Sequence, residues 1–436
     1  MSALMKLEPT LETRATAVDL VGIVLRSGQA FDIAFTQNKD LNLMSSRDRA
    51  FIYNLCLTTL RRLGQIDELI QTYLDHPIPH NAQYVTDILR IGACQILFLN
   101  VANHAAVFTC VELTRKKGYS AHIKLVNAVL RGLTRQGASL VTKQDEAFLN
   151  IPRWLWNSWL VAYGEVSCRE IAAAHLRGGA LDLSTFGDPN TYSKLLNGKV
   201  LPPGTVRIYT KGPIGGLPGF QNGKWWVQDL AARMVAALAG DISEKSVLDL
   251  CAAPGGKTAY FAAGGGNVTA VDRSKVRIRR LKENLDRLQL TAKIIQEDAL
   301  TWRPRKTADV VILDAPCSGT GTARRHPDVL WTKTETDVIK LVDLQKRLLK
   351  AASEMVAPGG ILIFATCSLQ PEEGGDHMNA FLENHPNFSL FPVTSDDVYG
   401  HDELISAPGV FRSLPCHFGS EGGMDGFFAA RFQRKH

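Results

Sequence analysis

The 436-residue sequence predicts an all-α N-terminal region, a small α+β module, and a doubly wound α/β domain on a mostly parallel sheet. Three observations carry that reading. Through residues 1–140 apolar side chains recur at helical spacing. From 231 to 436 the near-continuous apolar runs SVLDL, NVTAVD, AKIIQED, ADVVILDAP and GGILIFATCS alternate with amphipathic stretches, the pattern of strands covered by helices on both faces. The first of those runs passes straight into a glycine-containing turn and a helix, the strand–turn–helix order of an open α/β sheet.

In the N-terminal region Ser45 or Ser46 is placed to cap a helix on which Phe51, Ile52, Leu55, Cys56, Leu60 and Leu63 form one face. Similar faces run through YVTDILRIGACQILFL, HAAVFTCVELTRKKG and HIKLVNAVLRGLTRQG, with Pro77, Pro79, Gly118 and Gly137 as breakers. Residues 145–230 change texture. There PRWLWNSWLVAYG gives way to short β-like runs such as VRIYT between LPPG and GPIGGLPG, so a small α+β module is expected. In 231–436, Ile278, Leu281, Leu285 and Leu288 make one helical stripe between the second and third expected strands. Neither an internal repeat nor a low-complexity tract interrupts the chain.

Composition bounds the function classes. With 45% hydrophobic and 21% charged residues the chain is an ordinary globular one, neither disordered nor fibrous. No apolar run nears the roughly 18 residues of a membrane span. The stretch MSALMKLEPTLETRATAVDL, with Glu8 and Glu12, lacks the apolar core of a signal peptide, so a cytoplasmic protein is expected. Eight cysteines without a CxxC pair fit reduced thiols better than a disulfide framework or a zinc site. A net charge of +6 permits a nucleic-acid partner without requiring one. The distribution is more pointed: Arg273, Lys275, Arg277, Arg279, Arg280, Lys282 and Arg287 share one segment, and Arg303, Arg305, Lys306, Arg324 and Arg325 follow. A solvated helix face is the plain alternative.

VLDLCAAPGGKTAYF would present backbone N–H groups to a ligand at a helix N-terminus. It is not GxGxxG. GGKT imitates the end of a P-loop, but the Walker spacing needs glycine at 251, where this chain has cysteine, which argues against an NTPase. Asp272 closes the second run near the roughly 20-residue offset at which an acid reaches a ribose hydroxyl, and Asp298 closes the third. A single such carboxylate is most often a helix cap. Acids in strand order beside a glycine loop favour a nucleoside-bearing cofactor, and S-adenosylmethionine suits them because its ribose needs acceptors.

Cys251, Cys317 and Cys367 each follow an apolar run and are expected to gather along one edge of the sheet. Cys251 reads as a small packed hydrophobe. Cys317 in DAPCSG and Cys367 in ATCSLQPEEG sit in polar, turn-like segments where backbone donors or a lysine favour thiolate. A thiolate near a methyl donor suggests covalent catalysis, because carbon 5 of a pyrimidine becomes nucleophilic once a thiolate adds to carbon 6. Two thiols could divide attack from release.

DLCAAPGGK (249–257), DAPCSGTG (314–321), RRHPD (324–328), ATCS (365–368) and MDGFF (424–428) together resemble the RNA cytosine-C5 methyltransferases of the Nol/Nop/Sun group. RDRA (47–50), LRIGACQILFL (89–99) and VNAVLR (126–131) are similar to the NusB-like extension of the bacterial RsmB (Sun/Fmu) subfamily. The resemblance covers essentially the whole chain. It implies a Rossmann-like S-adenosylmethionine-dependent methyltransferase domain behind a NusB-like RNA-binding domain. It further implies methyl transfer to carbon 5 of a cytosine in small-subunit (16S) rRNA through a covalent cysteine–C6 adduct. Cys367 would attack, Cys317 would help release the adduct, and Asp314 would hold the cytosine. The loop Cys251, Ala252, Ala253, Pro254, Gly255, Gly256 and Lys257, with Asp272, Arg277, Asp298, Ala299 and Asp314, would bind the cofactor. Gln228 and Asp229 match the family's lead-in, with helix capping as their plainer role. Two departures stand out: LDLS (181–184) lacks an arginine frequent on that strand, and PEEGG replaces PEEN after Cys367. The implied partner is unfolded or early-assembling small-subunit rRNA, bound by a monomer without DNA or membrane. The N-terminal 140 residues carry 15 Lys and Arg against 11 Asp and Glu, a small excess for that role. Methylation of another RNA such as tRNA, or a non-catalytic assembly factor, are the rival functions.

Overall fold

The computed structural model describes residues 9–210 and 214–436; the start of the N-terminal stretch, including Glu8, and residues 211–213, which include the first two residues of GPIGGLPG, lie outside them. The chain divides into two compact units. One gathers the residues up to Leu176 together with Arg325–Lys333, the other Arg177–Arg324 and Thr334–His436.

The first unit is helical. Pro9–Ser27, Ser46–Arg61, Gln83–Leu97, Asn103–Lys116 and Ile123–Val141 bury Val18, Leu20, Ile52, Leu55, Ile88 and Leu130 in one core. Of the two capping serines it is Ser45 whose hydroxyl accepts the Asp48 N–H, at 3.1 Å, satisfying one orphan donor of the first turn. The helix Arg153–Arg177 turns at Gly164, whose φ of 78° is open to glycine at no steric cost. Its burial of Trp156, Trp159 and Ile171 keeps it with the helical unit.

Residues 325–333, expected within the C-terminal domain, complete this helical unit instead. The reason is unpaired polar groups. Asp328 accepts the Phe31 N–H, the first donor of the helix Phe31–Gln37, at 2.9 Å, and the Trp331 indole donates to the Leu60 carbonyl at 2.8 Å. RRHPD is thereby split, with Arg324 remaining in the second unit.

The second unit holds two sheets. The smaller is antiparallel in the order β2-β3-β1-β4, from β1 (Leu181–Thr185), β2 (Lys199–Leu201), β3 (Thr205–Ile208) and β4 (Trp225–Val227). Where LDLS lacks an arginine, Asp182 binds Arg207 of the adjacent strand through two hydrogen bonds of 2.6 and 2.7 Å, both side chains buried. That arginine is spent inside the sheet.

The larger sheet contains β5 (Ser246–Leu250), β6 (Asn267–Asp272), β7 (Lys293–Gln296), β8 (Ala308–Asp314), β9 (Val356–Thr366), β10 (Phe388–Leu390), β11 (Ile405–Ser406), β12 (Val410–Ser413) and β13 (Phe427–Arg434). Its order is β11-β12-β13-β9-β8-β5-β6-β7, with β10 also on β13. The five expected strands, β5 to β9, are the parallel ones, whereas β10 to β13 pair antiparallel, so the sheet is mixed. Alternate residues of one strand feed opposite cores: Val310 and Ile312 pack with Leu230 and Phe261, Val311 and Leu313 with Leu348 and Phe364. Burial on both faces is why these strands read as unbroken apolar runs. Among the described residues no helix is long and apolar enough to cross a membrane.

Candidate active site

The site forms where the parallel strands end. After β5 the chain turns through Cys251, at φ 60°, and Gly255, at φ 101°, into the helix Gly256–Ala263. Gly255 has to be glycine on two counts: its positive φ, and the Leu281 side chain, which lies 3.0 Å from where a Cβ would stand. Asp272, at the end of β6, holds this turn. Its carboxylate accepts the Ala253 N–H at 3.1 Å and the Ser274 N–H at 2.9 Å, and Arg277 lies 3.3 Å away.

Cys251, Asp272, Arg277, Asp298 and Ala299 meet around a cavity of about 110 Å³. Leu344 and Leu348, on the helix Glu335–Ser353, close it with an apolar wall that no motif announced. Asp298 uses one carboxylate oxygen to accept the Leu300 N–H at 3.0 Å. Cys251 is therefore half-buried at a cavity rather than only packed, and burial, with Asp272 and Asp314 nearby, pushes its thiol up to about 12. Ala252, Ala253, Pro254, Gly255 and Gly256 shape the turn without lining this cavity.

Lys257 and Asp314 form a second cluster. The ammonium meets the carboxylate at 2.7 Å and lies over the Phe427 ring, 5.1 Å from its centre. Burial works to lower the Lys257 pKa, but the charge and hydrogen bond of Asp314, with Asp249 and Cys367 in electrostatic reach, hold it above its ordinary value. Behind it Asp249 is wholly buried, which pushes its carboxyl up to about 7 against the hydrogen bond from Thr258 at 2.6 Å.

Cys317 and Cys367 face each other with sulfurs 3.4 Å apart, both as free thiols. The hydrogen bond to Cys367, then burial, raises Cys317 well above the usual thiol range. Their two loops are tied together by a residue the sequence did not flag. Glu373 is wholly buried and accepts the Ser318 N–H at 2.9 Å, the Ser318 hydroxyl at 2.5 Å, the Ser368 hydroxyl at 2.6 Å and the Gln345 amide at 2.9 Å. The serine after each cysteine thus ends on one carboxylate, and PEEGG supplies it. A weak signal existed: Ser follows Cys in both PCS and TCS, and an acid lies six residues beyond Cys367.

DAPCSGTG and MDGFF meet at their glycines. The Gly426 N–H donates to the Gly321 carbonyl at 2.9 Å, and a Cβ on Gly321 would stand 2.0 Å from the Gly426 carbonyl oxygen. Arg324 is wholly buried, 3.3 Å from Asp229 and 3.6 Å from Asp425. Asp229 also caps the helix Leu230–Ala237 through the Ala231 N–H at 2.9 Å, and Gln228 accepts from Ser184 at 2.8 Å and Trp226 at 3.1 Å. Among the described residues no cluster of three or more His, Cys, Asp or Glu could hold a metal.

Comparison with known proteins bears on this geometry. Residues 236–433 match the family model described as 16S rRNA methyltransferase RsmB/F, and residues 11–135 match the NusB family. Ribosomal RNA small subunit methyltransferase B of Salmonella typhi is 33% identical over 97% of this chain and 98% of its own length. The chain belongs to the RsmB/F family of 16S rRNA methyltransferases. The relative of that name from Yersinia pseudotuberculosis is 32% identical over 98% of this chain and 99% of its own. Among solved structures, PH0851 superposes with a TM-score of 0.76 at 22% identity, covering 99% of this chain and all of that one. A methyltransferase homolog from Pyrococcus horikoshii gives 0.51 at 24% identity over 69% of this chain and 97% of its own. The fold is accordingly a NusB-like helical region followed by a Rossmann-like methyltransferase domain.

Proposed function

We propose that this member of the 16S rRNA methyltransferase family transfers a methyl group from S-adenosylmethionine to carbon 5 of a cytosine in small-subunit rRNA, with Cys367 as nucleophile. The observation that carries the reading is the pair of facing thiols beside the Lys257–Asp314 ion pair. The cavity beside Cys251 fits the cofactor. Asp272 and Asp298 each keep lone pairs to accept from ribose hydroxyls, and Leu344, Leu348 and Ala299 offer an apolar wall to a flat ring. When bound there, S-adenosylmethionine supplies an electrophilic methyl group.

The chain's own residues do the rest. The Cys367 sulfur forms a bond to carbon 6 of the cytosine, and the electron pair of the ring's C5–C6 double bond shifts to carbon 5, which would then take the methyl carbon as its bond to the sulfonium sulfur breaks and that sulfur keeps the electron pair. Asp314, fixed by Lys257, accepts from the cytosine amino group, which orients the ring for attack. Release follows when the carbon-5 proton passes to a base: the electron pair of that C–H bond re-forms the ring double bond and expels the Cys367 thiolate, and Cys317, 3.4 Å from that sulfur, is placed to assist the step.

The NusB-like unit and the second unit's cationic surface support rRNA as the substrate, and an unpaired cytosine is the accessible form of the base. The test is mechanism-based trapping. In vitro transcribed 16S rRNA carrying 5-fluorocytidine should form a stable protein–RNA complex in the presence of S-adenosylmethionine, and peptide mapping should locate the bond at Cys367. A bond at any other side chain, or no complex, overturns the assignment.

A further inference from the structure

The catalytic cleft occupies one end of the parallel strands; the opposite end carries a second cavity, of about 600 Å³, lined by residues at the starts of β5, β6, β7 and β8 and by the segment Trp302–Thr307. Lys293, Arg303, Arg305 and Lys306 line it, and among the described lining residues there is no carboxylate. Glu354 and Asp309, close by, are both engaged, and the exposed Glu244 adjoins Asn267 on the rim. Glu354 binds Arg303 at 2.7 Å, and Asp309 accepts the Ser246 N–H at 2.8 Å and the Ser246 hydroxyl at 2.7 Å. Lys293, Arg305 and Lys306 are exposed and form no ion pair among the described residues. The half-buried Trp302 indole forms part of the wall.

Part of the other basic segment is tied up by the fold, while Arg273, Lys275, Arg280 and Lys282 stay exposed. Arg287 donates to the Phe220 and Trp225 carbonyls at 2.9 and 3.0 Å, Arg277 bonds the Ala253 carbonyl, and Arg279 pairs with Glu283 at 3.0 Å. In the RPRK run Arg303 is engaged by Glu354, whereas Arg305 and Lys306 have no such employment.

We propose that this groove is a second rRNA-docking surface, which takes the sugar–phosphate backbone of a segment remote from the target cytosine. It rests on the reading of rRNA as the substrate. Three unpaired cations around an open trough suit an extended polyanion, because each neutralised phosphate releases a counterion. An indole among them offers a base a stacking surface. Distance sets the scale. β8 runs from Ala308 at the groove to Asp314 at the cleft, seven residues or about 20 Å at the usual rise per strand residue, so only a substrate that reaches around the sheet touches both. The groove therefore selects for long RNA over short.

The experiment is a salt titration of binding to in vitro transcribed 16S rRNA and to a short cytidine-containing oligonucleotide. Lys293, Arg305 and Lys306 are replaced together by alanine; a control replaces Lys340, Lys346 and Lys350, equally exposed, on the helix Glu335–Ser353. For the long RNA, the groove variant is expected to lower the slope of log affinity against log salt by about two and to weaken binding roughly tenfold or more at physiological salt. Its affinity for the short oligonucleotide, its circular dichroism and the control's slope should match wild type. An unchanged slope, as a groove serving an acidic protein surface would give, overturns the proposal, and so does an equal fall in the control. If wild-type protein fails to bind 16S rRNA at all, the substrate reading itself falls and this inference with it.

Discussion

Cysteines populate both units of the molecule, under opposite conditions. In the helical unit Cys94 and Cys110 lie wholly inside the core, their sulfurs facing the Leu55 and Ile88 carbonyls at 3.9 and 3.8 Å, and burial pushes both thiols up to about 12. In the sheet unit Cys317 and Cys367 are half-buried, face each other, and sit on turns held by Glu373 beside a lysine. Burial alone makes a thiol an inert hydrophobe. What separates the facing pair is the company each sulfur keeps, and that company is set by strand ends rather than by the cysteine itself.

The sharpest way to break this contrast is Cys367→Ala. Methyl transfer should fall by at least about a thousandfold with thermal stability nearly intact; appreciable turnover would mean that the pair is as passive as the core cysteines. Cys317→Ala should slow turnover about a hundredfold and accumulate protein–RNA adduct visible as a shifted band on a denaturing gel. Its absence would remove the release role.

Glu373→Gln probes the company instead of the sulfur. Weakening hydrogen bonds to a buried charge should cost about 2 kcal/mol in thermal unfolding. Adduct formation should slow about tenfold while KM for RNA holds, a split that loss of folding alone would not produce. Cys110→Ala, in the helical core, should cost about 1 kcal/mol and leave kcat unchanged.

The smallest effect concerns pH. His377, hydrogen-bonded to Gln345 at 2.8 Å behind Glu373, is lowered to about 4, mainly by burial. Its folded pKa lies below its unfolded value, so its contribution to stability is complete above about 6.5 and is lost as pH falls toward 4. Replacing His377 with Gln should flatten that part of the acid-unfolding curve; an unaltered curve would remove the burial argument.

The parallel half of the large sheet was legible because burial on both faces leaves unbroken apolar runs, and the turn after β5 was legible because Gly255 must be glycine. The antiparallel half was not. β10, β11 and β12 span three, two and four residues, too short for a period to register. Residues 325–333 escaped because Asp328 and Trp331 find their partners at Phe31 and Leu60, separations of 297 and 271 residues that no local pattern encodes. In the site, the thiols, Asp314 and the acids at strand ends were readable from motif and position. Glu373 was not, since its partner Ser318 lies 55 residues back, and neither were Leu344 and Leu348, ordinary apolar positions on a long helix. Charge misled in one place: Arg324, grouped with the basic surface, is wholly buried.

β13 lies between β9, the strand that delivers Cys367, and β12, and it carries the Phe427 ring that covers Lys257. A ribosome making this protein therefore exposes both sulfurs well before the segment that frames them has been synthesised. Nascent chains and fragments truncated ahead of MDGFF hold the two sulfurs without Phe427 over Lys257, so the setting of the candidate site is completed only late in translation.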